Sequence, residues 1–189
     1  MAYFTEDFLE TVRNDAETEA APGLSAAVIE AAQREVGFRF PPSYVQFLRL
    51  FNGGEFRYVL IHHVDTEAAR EEAEQAEADL DRVGGLTEWA ETARDLVPEI
   101  AEGRIYPFGR DWAGSYFCFD TSQPGPDAEY PVLIWNHEYA EDPESASLLW
   151  GRQADNFALF LENVYGDDDL YGDEDEDEEE EELEEDDEM

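Results

Sequence analysis

The residues of this 189-residue chain that could do chemistry are three histidines, one cysteine and a large excess of carboxylates. His137-Glu138-Tyr139-Ala140-Glu141 opens like a zinc-binding helix, but it lacks the second histidine and falls at a predicted strand end, so His137 reads as structural. His62-His63 has no ligand spacing. Cys118 lies between Phe117 and Phe119 in a predicted strand, where a thiol packs as a small apolar group. Gly53-Gly54 and Gly84-Gly85 lack the spacing and the lysine of a phosphate-binding loop, and the acidic run from Asp173 lacks the central glycine of a calcium loop. No catalytic residue, cofactor or metal is therefore expected. Asp111, Asp120 and Glu138 stand apart, because they fall at the ends or loops of neighbouring predicted strands. If they converged, a carboxylate pair could do acid/base work and an acidic patch could meet a basic partner. Turn capping is the plainer role for aspartates there. The three are carried forward as candidate partner contacts.

Positioning these residues falls to elements legible in the hydrophobic periodicity. Residues 5–14 predict a helix with Thr5 as N-cap and Phe8, Leu9 and Val12 on one stripe. A polar link follows over 15–23. Ser25 opens a second helix in which Val28, Ile29, Ala32 and Val36 recur, closed by Gly37. After Pro41-Pro42, a third carries Tyr44, Phe47, Leu48 and Phe51 and stops at Asn52-Gly53-Gly54. From Glu55, Phe56, Tyr58 and Leu60 alternate with Arg57, Val59 and Ile61, which predicts one strand buried on both faces. Residues 66–81 favour helix without an apolar stripe and predict an exposed helix or insertion with little core. Thr87 predicts the cap of a helix through Trp89, Ala93, Leu96 and Val97, broken at Pro98. Residues 104–108, 115–120 and 130–136 predict strands whose short Gly- and Pro-bearing links suit antiparallel pairing. Asp155 or Asn156 caps a last helix bearing Phe157, Phe160, Leu161 and Val164. The expected fold is α+β, an antiparallel-rich central sheet flanked by helices, in a single domain over 24–165. An N-terminal helix and link (1–23) precede it, and a disordered acidic tail (166–189) follows.

Charge narrows the partners. The formal net charge is -39. Residues 167–189 hold 18 acids and no base, which leaves 32 acids against 11 arginines, or -21, in the rest. All basic residues are arginines scattered singly, which excludes direct nucleic-acid binding through phosphates. An acidic surface attracts a basic partner, with a fast and salt-sensitive encounter, and equally suits plain solubility or a saline cytoplasm. No apolar stretch approaches the roughly 20 residues of a membrane span. A lone cysteine and an N-terminus without a basic or apolar leader point to the cytoplasm.

Six pieces in order carry a resemblance: Val28 to Leu48 with Phe38-Arg39-Phe40-Pro41-Pro42 inside it; Asn52-Gly53-Gly54; Ile105-Tyr106-Pro107-Phe108-Gly109-Arg110-Asp111; Tyr116-Phe117-Cys118-Phe119-Asp120; Pro131 to Glu138 with Trp135-Asn136; and Ala154-Asp155-Asn156-Phe157-Ala158-Leu159-Phe160-Leu161. The chain resembles the SUKH superfamily over about residues 24–165, a set that includes fungal cell-wall synthesis regulators and bacterial immunity proteins that neutralise toxins. Residues 66–81, longer than the usual connection, and the acidic tail depart from it. The resemblance implies a scaffold without catalysis whose surface varies with the toxin it meets. It implies a non-enzymatic, cytoplasmic immunity protein that binds a cognate, basic, nuclease-like toxin domain, with an intracellular regulatory adaptor as the alternative. A hydrolase would rest on the carboxylate cluster alone.

Overall fold

The periodic segments fold as helices. In the computed structural model, which describes residues 2–78, 80, 83–140 and 143–166, α1 is Glu6–Asn14, started by the Thr5 hydroxyl accepting the Phe8 N–H. A strand, β1 (Thr18–Pro22), follows where a link was expected. Helix α2 (Ala26–Val36) has the Ser25 cap and a left-handed Gly37 at its end. Helix α3 (Pro42–Leu48) stops before Phe51, because β2 (Phe51–Phe56) begins there and takes in Asn52-Gly53-Gly54. Gly54 lies so close to β1 that a Cβ would sit 2.3 Å from the Glu19 carbonyl oxygen, so glycine here serves strand contact rather than a helix stop.

The single strand expected from Glu55 is a hairpin. β2 turns at Arg57-Tyr58 into β3 (Val59–Ile61), with Arg57 at φ 54. The turn lacks the Asn-Gly signature that would reveal it in sequence. Instead the Arg57 guanidinium, 3.0 Å from the Asp15 carboxylate, donates to the Val164 and Tyr165 carbonyls at 3.4 Å. It thereby caps the C-terminus of α7 (Phe157–Gly166) from outside. Gly166, assigned above to the tail, is the last residue of that helix; residues 167–189 lie outside the described residues.

Helix α4 (Glu67–Gln75) is capped by Thr66 and buries Ala69 and Ala73, so it packs more closely than its sequence suggests. Then come α5 (Leu86–Leu96), α6 (Pro98–Ala101), and the strands β4 (Ile105–Asp111), β5 (Tyr116–Asp120), β6 (Val132–Trp135) and β7 (Trp150–Ala154). Strand β7 has no counterpart in the sequence reading. Leu96, expected on the inner face of α5, is exposed, while Leu86, Ala90 and Ala93 are buried.

Among the described residues the seven strands form one antiparallel sheet in chain order. One face carries Phe56, Ile61, Phe108, Phe117 and Phe119 into the main core, which α1, α2, α3 and α7 close. The other carries Ile105, Tyr116, Cys118 and Trp135 into a smaller core under Ala93, Val97 and Ile100 of α5 and α6. Cys118 is fully buried there, and burial pushes its thiol pKa up, so it packs as an apolar group.

Helix α3 has no capping side chain of its own. The carboxylate of Glu129, 86 residues away, accepts the Ser43 N–H at 2.7 Å and the Ser43 hydroxyl at 2.6 Å, both buried. A carboxylate at a helix N-terminus meets unpaired N–H groups and the positive dipole end together. Glu129→Gln keeps the volume but removes the charge and one acceptor. It is expected to cost about 1–2 kcal/mol in urea unfolding, and an unchanged midpoint would show that Glu129 does not hold α3.

Candidate functional site

The register of the sheet lines up one row of side chains across five strands. Leu60 pairs with Arg110, Arg110 with Tyr116, Tyr116 with Trp135, and Trp135 with Trp150. Directly opposed residues of an antiparallel sheet point to the same face, so the row runs along the face of the smaller core. A bulge at Pro107/Gly109 sets this register: it leaves Phe108 in the main core and turns Arg110 to the opposite face. Glycine is needed at 109, where a Cβ would sit 2.8 Å from the Leu60 carbonyl oxygen.

Trp89 of α5 completes the row. Its ring stacks on His62 at 5.2 Å and 13°, and the Arg110 guanidinium sits 4.5 Å from its centroid. What holds Trp89 there is Asp65 rather than the expected cap Thr87. The Asp65 carboxylate accepts the N–H groups of Thr87 (3.1 Å) and Glu88 (3.4 Å), and Gly85 occupies the N-cap position. His62 is fully buried, and its Nδ1 N–H donates to the Val83 carbonyl at 2.9 Å. Burial lowers its pKa to about 4, with Arg110 and His63 adding to the shift against the Val83 hydrogen bond.

At the turn end of this row the apolar surface opens to solvent. Trp112, in the β4–β5 turn, is 64% exposed, and Leu148, just before β7, is 52% exposed. The Asn136 side chain donates to the Leu148 carbonyl at 2.8 Å, and the His137 ring lies 3.9 Å from where a Cβ on Gly114 would stand. The β4–β5 turn, the 3-10 turn His137–Tyr139 and the 3-10 turn Pro143–Leu148 therefore share one edge. All four tryptophans of the chain, Trp89, Trp112, Trp135 and Trp150, gather at this end.

The candidate carboxylates divide between the two ends of the sheet. Asp111 closes the β4–β5 turn, accepting the Ser115 N–H at 2.8 Å, and exposed Glu138 lies on the adjacent 3-10 turn. Asp120 is at the far end of β5, 5% exposed, and accepts from Ser122 N–H (3.0 Å), the Ser122 hydroxyl and Gln123 Nε2 (2.9 Å). Of the three, Asp111 and Glu138 share the rim of the tryptophan-rich end, and Asp120 lies at the opposite end of the sheet. Sequence reasoning missed Arg110 and Trp150, whose alignment exists only through strand register, and Trp112, which reaches this end through the β4–β5 turn. The Trp-Tyr-Arg composition of the segments was visible, but their meeting was not.

Among the described residues no group of three or more His, Cys, Asp or Glu is placed to hold a metal ion, and no helix is long and apolar enough to cross a membrane. What the arrangement offers is an exposed edge bearing Trp112 and Leu148, half-buried Trp89, Arg110 and Trp150 backed by buried Tyr116 and Trp135, and carboxylates at the rim. Comparison with individually characterised proteins returns no match. The model of the SMI1/KNR4 family (SUKH-1), whose superfamily covers toxin-immunity proteins and regulators, matches residues 23–163, three quarters of the chain, and the chain belongs to that family.

Proposed function

We propose that this protein is a cytoplasmic, non-enzymatic immunity protein that binds a cognate, basic, nuclease-like toxin domain through the tryptophan-rich end of its sheet. The observation that carries the reading is the turn end of that row, where Trp112 and Leu148 are exposed and half-buried Trp89, Arg110 and Trp150 are backed by the buried rings of Tyr116 and Trp135. Trp, Tyr and Arg dominate the energetic centres of protein interfaces, because each brings a large, stiff contact surface with a polar handle. The net charge of the chain supports a basic partner, since an acidic field speeds its encounter and discourages acidic competitors. In this reading Asp111 and Glu138 contact the partner at the rim, and Asp120 contributes charge only. Blocking needs no chemistry: a partner held over this end loses access to its own substrate.

The test is capture from host lysate at low and high salt, read by mass spectrometry, with the full chain, residues 1–166, and Trp112→Ala. Recovery of one basic toxin domain, weakened by salt, is expected. Trp112→Ala should weaken binding of that domain about 30-fold or more, the size of an interface anchor, and residues 1–166 measure the share of the acidic run. Recovery of housekeeping or envelope proteins instead would favour the regulatory adaptor.

A further inference from the structure

Resting on that reading of the tryptophan-rich end, we infer that the partner presents a carboxylate to Arg110 from the centre of an otherwise basic surface. Arg13, Arg57, Arg104 and Arg152 each pair with a carboxylate at 2.5–3.2 Å, and Arg34, Arg39, Arg49, Arg70 and Arg94 are exposed to solvent. Among the described residues Arg110 has no ion pair and no hydrogen bond, although the chain carries 50 acids. The adjacent carboxylate, Asp111, is turned into the β4–β5 turn by Ser115. Nor does the neighbouring imidazole help: His62 Nε2, like Arg110 Nε, is buried without a hydrogen-bond partner. Arg110 instead lies over the Trp89 ring, at half-buried exposure.

Stacking uses the face of a guanidinium and leaves its N–H groups in the plane, where a carboxylate is recognised in bidentate fashion. Because Nε is enclosed, the Nη groups are the ones left for such a ligand. A half-buried arginine held in one orientation without an acceptor is preorganised for an anion, and part of its desolvation has already occurred on folding. The neighbouring elements carry acids: exposed Glu88 beside Trp89 on α5, Asp111 next in the chain on β4, and exposed Glu138 on the 3-10 turn near the β4–β5 turn. A free anion is repelled by these carboxylates. A carboxylate carried inside a basic surface is not, because the basic groups meet the rim as the carboxylate meets Arg110. The site thus selects a charge pattern, one acid ringed by bases.

Two five-residue peptides test this on the full chain at low ionic strength: a glutamate between two arginine–lysine pairs, and the same peptide with glutamine at the centre. Binding is followed through the indole N–H signals of the four tryptophans by NMR. The glutamate peptide is expected to bind the unaltered protein about tenfold more tightly. Arg110→Gln should abolish the difference between the two peptides. Arg110→Lys, which keeps the charge but not the planar fork, should lose most of it and guards against misfolding of the first variant. Equal binding of the two peptides, no binding of either, or a preference that survives Arg110→Gln would overturn the inference. Failure of the interface reading shows separately, as capture of the toxin domain unaffected by Trp112→Ala.

Discussion

Phe157→Ala is expected to lower the unfolding free energy by about 4 kcal/mol, within the roughly 3–5 kcal/mol range for a fully buried phenylalanine. Phe157 is the first residue of α7 and is 0% exposed. Its ring meets Tyr44 at 5.0 Å and Phe47 at 5.1 Å on α3, Phe108 at 5.4 Å on β4 and Phe119 at 6.1 Å on β5. One side chain therefore ties two helices to the central strand β4 and its neighbour β5. Removing it leaves a hole whose walls are aromatic rings fixed by other contacts, such as Phe108 on Phe119 at 4.4 Å, so the walls cannot collapse far. Leu159, two residues along the same helix and 42% exposed, supplies the internal comparison: Leu159→Ala should stay within about 0.5 kcal/mol. Urea unfolding of both variants, with unchanged slope, checks the pair. A Phe157→Ala cost near that of Leu159→Ala would mean that α7 does not close the core.

That contrast also marks what the sequence makes legible. Helix faces are written at i, i+3, i+4 and i+7, so α1, α2, α3 and α7 could be read directly, with Phe51 the one residue misassigned to α3. So could the caps Thr5 and Ser25, while the last cap narrowed to Asp155 or Asn156 and is Asn156. Strands β4, β5 and β6 were legible from apolar alternation between turn residues. Strand β7 was not, since Trp150-Gly151-Arg152-Gln153 has no apolar alternation and stands at an edge of the sheet. Capping by distant side chains was equally hidden: Glu129 on α3, Asp65 on α5 and Arg57 on α7 act across 86, 22 and about 107 positions. Asp111 and Glu138 were singled out because turn carboxylates stand out by type. Arg110 was not, because an arginine in a strand looks the same whether a carboxylate faces it or a tryptophan does. The site is a product of register, and register is fixed by the bulge at Pro107/Gly109, which no single residue announces.

Lowering the pH from about 6.5 to about 4 is expected to remove about 3 kcal/mol of stability through His62 alone. An unfolded histidine takes up its proton near pH 6.5, while the folded value is about 4. Burial is the main cause. A proton on Nε2 would create a buried N–H with no acceptor, beside the Arg110 cation. Across this interval the unfolded chain binds the proton and the folded chain does not, so stability falls as pH falls. The contribution is complete above pH 6.5 and exhausted below about 4, and each pKa unit corresponds to about 1.4 kcal/mol. The acidic body acts in the opposite direction, because carboxylates that gain protons near pH 4 relieve mutual repulsion in a chain of net charge -39. The unaltered protein therefore reports only the sum. His62→Asn separates the two, since an asparagine amide can donate to the Val83 carbonyl as Nδ1 does but does not titrate. Unfolding free energies of both proteins at several pH values should diverge steadily below pH 6.5, with the unaltered protein losing about 3 kcal/mol relative to the variant by pH 4. Parallel profiles would show that the imidazole finds an acceptor when charged, and with it that the stack of His62, Trp89 and Arg110 rearranges on protonation.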